Sequence, residues 1–212
     1  MTLLMASLVG IHGRIVGTDS DSEILALARQ DAEVAQLGNV EFRHTDVAVC
    51  QEEEGVDLVY ARFLLTHLSE PEKCLEAMKK ACKPKGVIED IDFSGSFCHP
   101  YCAAYEMYLE LYKETAHRRV VDPNIGPKLA RMLRQAGAQA IQVNIVQAAH
   151  LEGEVKLIAS VTMERIADSV ISEGLARQKE VKEIIHGLNE AAADTAILMS
   201  LPRAFQTWGG RT

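Results

Sequence analysis

The chain has 212 residues, 48% hydrophobic and 25% charged, a globular balance that excludes a disordered tail, a collagen-like fibre or a disulfide miniprotein. Its formal net charge of -8 offers no electrostatic attraction to phosphate backbones or anionic lipid, which argues against a nucleic-acid module. The five cysteines, Cys50, Cys74, Cys82, Cys98 and Cys102, form no CxxC pair and are expected as free thiols of a reducing, cytoplasmic compartment; no run reaches the ~18 apolar residues of a membrane span.

The opening MTLLMASLVG lacks the basic start and cleavage site of a signal peptide and reads as an amphipathic helix. Gly10 and Gly13 lead into a buried-strand candidate, Arg14 to Thr18. Ser20-Asp21-Ser22-Glu23 opens a helix, with Ser20 and Glu23 at capping-box spacing and Ile24, Leu27, Ala28, Ala32 and Ala35 along one face. Gly38-Asn39 stops it. Val40 to His44 alternates as a strand ending at Thr45-Asp46, the acidic run Glu52 to Glu54 reads as a solvated loop, and Val56 to Ala61 is a third strand. Ser69 is placed to cap a second helix, with Pro71 in its first turn and Glu72 closing a capping box. Lys83-Pro84-Lys85-Gly86 predicts a turn into a short strand, Val87 to Asp92.

Tyr101, Tyr105, Tyr108, Leu109 and Tyr112 then recur at helical spacing, as core or as a cover over a pocket. Pro127 to Ala136 predicts a helix stopped by Gly137, and Ala140 to Val146 alternates as a strand. Two helices are expected at about Glu154 to Ser172 and Gln178 to Ala193, and a final strand at Ala204 to Trp208. There is no internal repeat and no linker, so 1–212 is expected as a single domain. Alternating strands and helices imply an α/β fold, with a parallel sheet covered on both faces.

Ligands of open α/β sheets bind at the carboxyl ends of strands. Asp19 stands there, after the first strand, where its carboxylate can accept from a ribose diol or serve only as an anion on a helix dipole. Asp46 repeats the arrangement one strand later, able to accept from an adenine amino group while Val47 packs on the ring. Arg62 and Phe63 follow the third strand, expected at the sheet centre.

Three segments carry a family resemblance: GRIVGTDSDSEILALAR, NVEFRHTDV and VDLVYARFLLTHLSEPEKCLEAMKKACKPKG. They resemble the motifs of class I S-adenosylmethionine-dependent methyltransferases, close to the small-molecule enzymes of the ubiquinone/menaquinone type. The resemblance covers about residues 1–146, and Pro202 to Gly209 suits the family's last strand. It implies a doubly wound Rossmann-like sheet, mostly parallel with an antiparallel last strand, using S-adenosylmethionine on a small-molecule acceptor. It implies Asp19, with neighbouring Ser20, at the ribose hydroxyls, Asp46 at the adenine amino group, Val47 on the ring face and Arg62 near the methionine part.

One departure is large. The family begins with a strand and a GxGxG loop, whereas none of the 14 glycines here forms a GxG. MTLLMASLVG matches the helix that follows that loop, so the domain is expected to be truncated, its first strand missing. A break in the sheet is then expected between Arg14–Thr18 and Val56–Ala61. Gly10, Gly13 and Gly17 read as turn and close-packing positions instead.

No catalytic base is assigned. His67 could serve or could hydrogen-bond the following helix start. Glu89, Asp90 and Asp92 cluster at a strand end, with Asp90 and Asp92 on one face, and could orient an acceptor. Cys98, His99 and Cys102 make at most a partial metal set, and no metal is expected. Helical segments at about 97–120 and 151–195 are expected as a lid, with Phe97, Tyr101, Tyr105 and Tyr108 over the acceptor. Two alternatives stand beside methyl transfer: an inactive methyltransferase-like partner subunit, and a nicotinamide-dependent oxidoreductase, which Asp19 alone would allow. A homo-oligomer is compatible with all three.

Overall fold

The computed structural model describes residues 1–46 and 55–210, and within these not the side chains of 83–89 and 91. Val47 and Glu52 to Glu54 therefore lie outside the described residues. The chain opens with helix α1 (Thr2–Val9), strand β1 (Ile15–Asp19), helix α2 (Ser22–Val34) and strand β2 (Val40–His44). β1 and β2 pair in parallel from Ile15 opposite Val40 to Asp19 opposite His44. Glu41 ties their edges, paired with Arg14 before β1 and at 2.6 Å with Arg43 Nε. Gly17 lets the layer close: a Cβ there would sit 3.0 Å from the Phe42 ring and 3.1 Å from Thr2 Cγ2.

Two local expectations need correction here. α1 is not amphipathic in effect; TLLMASLV presents apolar side chains all round, burying Ala6 while Leu4 and Leu8 stay 57% and 76% exposed. The cap of α2 is Asp21, not Ser20. Its carboxylate accepts from the backbone N–H groups of Glu23 and Ile24, the shorter reach that an Asp one residue nearer the helix provides.

Next come β3 (Val56–Arg62), a 3-10 turn at Leu65–His67, α3 (Pro71–Ala81) and β4 (Cys82–Asp92). α3 starts at Pro71 with no side-chain cap bond, so Ser69 does not cap it. β4 is eleven residues long and absorbs the expected turn at 83–86. Val56 pairs with Cys82 and Leu58 with Lys85, so β4 carries one extra residue there. This bulge accommodates Pro84, which has no N–H for a regular ladder.

The remainder is β5 (Cys98–His99), α4 (Ala103–Arg118), α5 (Leu129–Gln135), β6 (Gln139–Val146), β7 (Ala149–His150), α6 (Ile158–Ser172), α7 (Gln178–Ala193), β8 (Leu198–Ser200) and β9 (Arg203–Gly210). The main sheet has the order β3-β4-β9-β6. β3 and β4 are parallel, and β9 runs antiparallel to both β4 and β6, as expected for the last strand. The short strands β5, β8 and β7 form a separate antiparallel sheet. The doubly wound sheet is not joined into one among the described residues: β1 and β2 stand as their own sheet. The division falls between β1 and β3, where the break was expected, and it leaves β3 at an edge, not at the sheet centre.

Two cores hold the rest. One packs α4, α6 and α7 together, with Tyr108, Met163, Val170 and Leu188 buried beside Phe93 and Met199. Gly187 permits the close crossing of α7 on α4, since a Cβ would meet Ala104 Cβ at 2.8 Å. The other places α3 and α5 on the main sheet through Leu65, Leu75, Leu129, Leu133 and Phe205. Each fully buried side chain of this kind contributes about 1.5–3 kcal/mol.

Candidate cofactor and acceptor site

Asp19 ends β1 and is half-buried. Its Oδ1 accepts from the Asp21 N–H at 2.9 Å, and Asp21 in turn caps α2. Among the described residues its second oxygen accepts no hydrogen bond. One oxygen is thus fixed by the turn and the other is open to a hydroxyl donor. The Thr45 N–H donates to the Asp19 carbonyl at 3.0 Å, which carries the ladder one step past β2 and sets Asp46 on the same carboxyl edge. Ser20 is exposed, and its carbonyl lies 3.0 Å from His44 Nε2. The parallel register thus brings Asp19, Ser20 and Asp46 to one edge.

Arg62 is the last residue of β3, with its guanidinium 4.5 Å from the Phe63 ring centroid. Phe63 takes φ 51, a left-handed conformation uncommon for a bulky residue. It turns the chain from β3 into the 3-10 turn that presents His67. The His67 imidazole makes no hydrogen bond among the described residues, so it does not anchor the helix start. Burial, and then the Arg119 guanidinium, push its pKa below 6.5, which keeps the ring neutral and able to accept a proton at neutral pH.

Asp90 and Asp92 share one face of β4, as alternation requires, and both are 0% exposed. Instead of lining an open pocket they hold turns. Asp90 Oδ2 accepts from the Thr66 N–H at 3.1 Å. Asp92 Oδ1 accepts from the backbone N–H and hydroxyl of Ser94 at 2.9 and 2.6 Å, and Asp92 pairs with Arg203. The side chain of Glu89 lies outside the described set.

The aromatic stripe also divides. Tyr105 and Tyr108 are 2% exposed, whereas Phe97 and Tyr101 are 40% and 76% exposed. Burial raises the pKa of Tyr105 and Tyr108, so both phenols stay protonated. With Phe93, Lys156 and Met199 they line a cavity of about 20 Å³, room for about one water and not for an organic acceptor. Expecting the four aromatics as one cover was therefore too simple: the inner pair belongs to the helical core.

Lys156 gave no signal in the sequence, where it is one lysine in an EVKL stretch. It is 3% exposed, and its Nζ donates to the carbonyls of Leu151, Asp194 and Ile197 at 3.0, 2.6 and 2.9 Å. All three N–H bonds are used, which is how a buried ammonium is tolerated.

The family described as "Methyltransferase domain" matches residues 1–148. The chain belongs to this family of class I methyltransferases, whose cofactor is S-adenosylmethionine. Among curated relatives, the demethylmenaquinone methyltransferase of Bacillus cereus is 27% identical over 157 residues, 67% of this chain and 66% of the relative. The Oceanobacillus iheyensis protein of the same name is 27% identical over 110 residues, 51% of this chain and 46% of the relative. The chain thus spans no more than about two thirds of these relatives. Among solved structures, the YcgJ protein of Bacillus subtilis superposes with a TM-score of 0.57 at 15% identity, over 92% of this chain and 81% of that one. Phosphoethanolamine N-methyltransferase 2 of Haemonchus contortus, in complex with phosphomonomethylethanolamine and S-adenosylhomocysteine, gives 0.58 at 16% identity, over 99% and 46%. These likenesses show the Rossmann-like methyltransferase fold.

As a methyltransferase domain the chain fits its cofactor unevenly. At the nucleoside end, the free oxygen of Asp19 suits a ribose hydroxyl. At the methionine end no GxG is available in the sequence. No helix among the described residues is long and apolar enough to cross a membrane.

Proposed function

We propose that this methyltransferase domain transfers the methyl group of S-adenosylmethionine to a small, partly apolar acceptor. The observation that carries the reading is the strand-end edge of β1 and β2. There Asp19, oriented by the Asp21 N–H, has one oxygen open, and Asp46 lies just beyond the paired end of β2. Asp19 and Ser20 hold the ribose, Asp46 the adenine amino group, and Val47 the ring face. Arg62 approaches the methionine part from the end of β3. The helices over 97–120 and 151–195 form the lid of a single-domain enzyme.

The cofactor supplies an electrophilic methyl group on sulfur. Such a transfer needs little acid-base assistance, so most of the gain comes from holding acceptor and cofactor in line and excluding water. The curated relatives named for demethylmenaquinone support a small-molecule acceptor and not a protein or nucleic acid. Exposed Phe63, Phe97 and Tyr101 supply apolar contact area for it.

Titration with S-adenosylhomocysteine tests the assignment. A carboxylate hydrogen bond of this type contributes about 1.5–3 kcal/mol, so Asp19→Ala and Asp46→Ala each weaken binding by about tenfold or more without unfolding the chain. Unchanged affinity in both variants removes the cofactor assignment. A second reading, a methyltransferase-like subunit inactive by itself, is favoured by the division of the sheet between β1 and β3. It predicts no detectable binding by the wild-type chain at millimolar ligand.

A further inference from the structure

We propose that β6 is a dimerisation edge, pairing antiparallel with β6 of a second copy in a register centred on Asn144. β6 bonds to β9 on one side and to no other strand among the described residues. Sheet edges are normally guarded by charge, proline or a bulge along their length. Gln139–Val146 reads QAIQVNIV, with neither charge nor proline. Its irregularity is confined to the start, where the register shifts between Gln139 and Gln142 and Ala140 takes φ 50. From Gln142 to Val146 the edge is regular. β2, one of the two strands of the other sheet, instead carries the ion-paired Glu41 and Arg43.

The apolar layer of the main sheet runs off this edge. Phe205 is 7% exposed, yet Ile145 opposite it is 52% exposed; Thr207 is 0% exposed, yet Val143 opposite it is 46% exposed. Paired residues share a sheet face, so Val143 and Ile145 continue the buried face of β9 into solvent. On the other face Asn144 is already tied within the subunit, donating from Nδ2 to Gln206 Oε1 at 2.7 Å.

A second copy is the occupant this edge suits. Copies carrying a net charge of -8 repel one another, and β6 is a strip where two can meet without opposing like charges. A two-fold axis normal to the sheet keeps each face on its own side. Centred on Asn144, it sets Val143 opposite the second copy's Ile145, twice over, so four apolar side chains extend one layer. A slip of one residue would set apolar side chains against the opposite face. The joined sheet has the order β3-β4-β9-β6-β6-β9-β4-β3.

Sedimentation velocity of the full chain from low to high micromolar concentration tests this. The wild type is expected to be a dimer. Val143→Lys and Ile145→Glu, both at exposed positions, each weaken association at least tenfold and leave the circular dichroism spectrum unchanged. The double variant Val143→Lys/Ile145→Glu restores the dimer, because the register sets each new ammonium opposite the second copy's new carboxylate, and the restored dimer weakens with salt. A monomeric wild type at high micromolar concentration overturns the proposal, as does a dimer indifferent to both single changes. A double variant that stays monomeric overturns the register.

Discussion

Asp92 and Arg203 are the terminal paired residues of β4 and β9, and their side chains form an ion pair whose carboxylate is 0% exposed while the guanidinium side chain keeps 35% of its surface in water. The pair locks the carboxyl end of β4, where the chain leaves for the helical cluster. Removing one partner of a buried pair costs about 3–5 kcal/mol, because the remaining charge stays buried. Here Ser94 still donates twice to Asp92 and Arg203 is partly solvated, so Arg203→Met is expected to cost about 3 kcal/mol. Urea unfolding of the variant and the wild type measures it; a change under 1 kcal/mol would show that Ser94 alone satisfies Asp92.

Lys156 makes the corresponding clasp for the helices. Its three carbonyl acceptors lie in the segment before α6 and in the loop after α7. Lys156→Met keeps the length of the side chain but leaves three carbonyls without their donor. A loss of about 2–4 kcal/mol is expected, since a hydrogen bond from a charged donor contributes about 1.5–3 kcal/mol and such bonds do not add fully. Hydrogen exchange should accelerate first at the start of α6 and the end of α7. Uniform exchange across the chain would contradict the clasp.

Two titrations have a defined sign. Glu41 is held at about 2 by its hydrogen bond to Arg43 first and then to Arg14. A carboxylate lowered on folding stabilises fully above its unfolded value of 4.5, and that contribution is lost as the pH falls through 4.5 towards about 2. His67 is lowered from 6.5, so the neutral ring is the form the fold favours, and stability also declines as the pH drops below 6.5 through the folded value. Thermal melts should therefore fall in two stages on acidification, and Glu41→Gln should shrink the lower one, leaving the part due to Glu180, which Arg177 also holds at about 2. An NMR midpoint for His67 above 6.5 would reverse the second argument.

The divided sheet bears on affinity. In the complex proposed above, a chain with no GxG would make two or three fewer backbone contacts to the methionine end, each contributing about 1–1.5 kcal/mol. That loss moves a typical micromolar complex towards the millimolar range. Residues 1–212 are expected to bind S-adenosylmethionine weakly, and a version extended by a strand and a glycine loop more tightly. Micromolar binding by the 212-residue chain in calorimetry would show that the cofactor is held elsewhere.

The sequence by itself determined the local elements and the edge where the candidate site lies. Hydrophobic period placed β1, β2, β3, α7 and β9 close to their observed bounds, because each is short and bounded by its own punctuation. Asp19 and Asp46 were legible for the same reason: a polar residue at or just beyond the end of a strand lies at the carboxyl edge whatever surrounds it. Position along the chain says less about neighbours. Lys83-Pro84-Lys85-Gly86 has the composition of a turn, yet pairing with β3 draws it into β4, since a bulge costs less than leaving ladder groups unpaired. Tyr105 and Tyr108 share a helical stripe with Tyr101, but only the packing of α6 and α7 decides that two of the three are buried. Asp92 needed Arg203, 111 residues away, and Lys156 needed carbonyls 38 and 41 residues away. Burial of a charge is decided by partners that folding brings together, and no local pattern in the sequence names them.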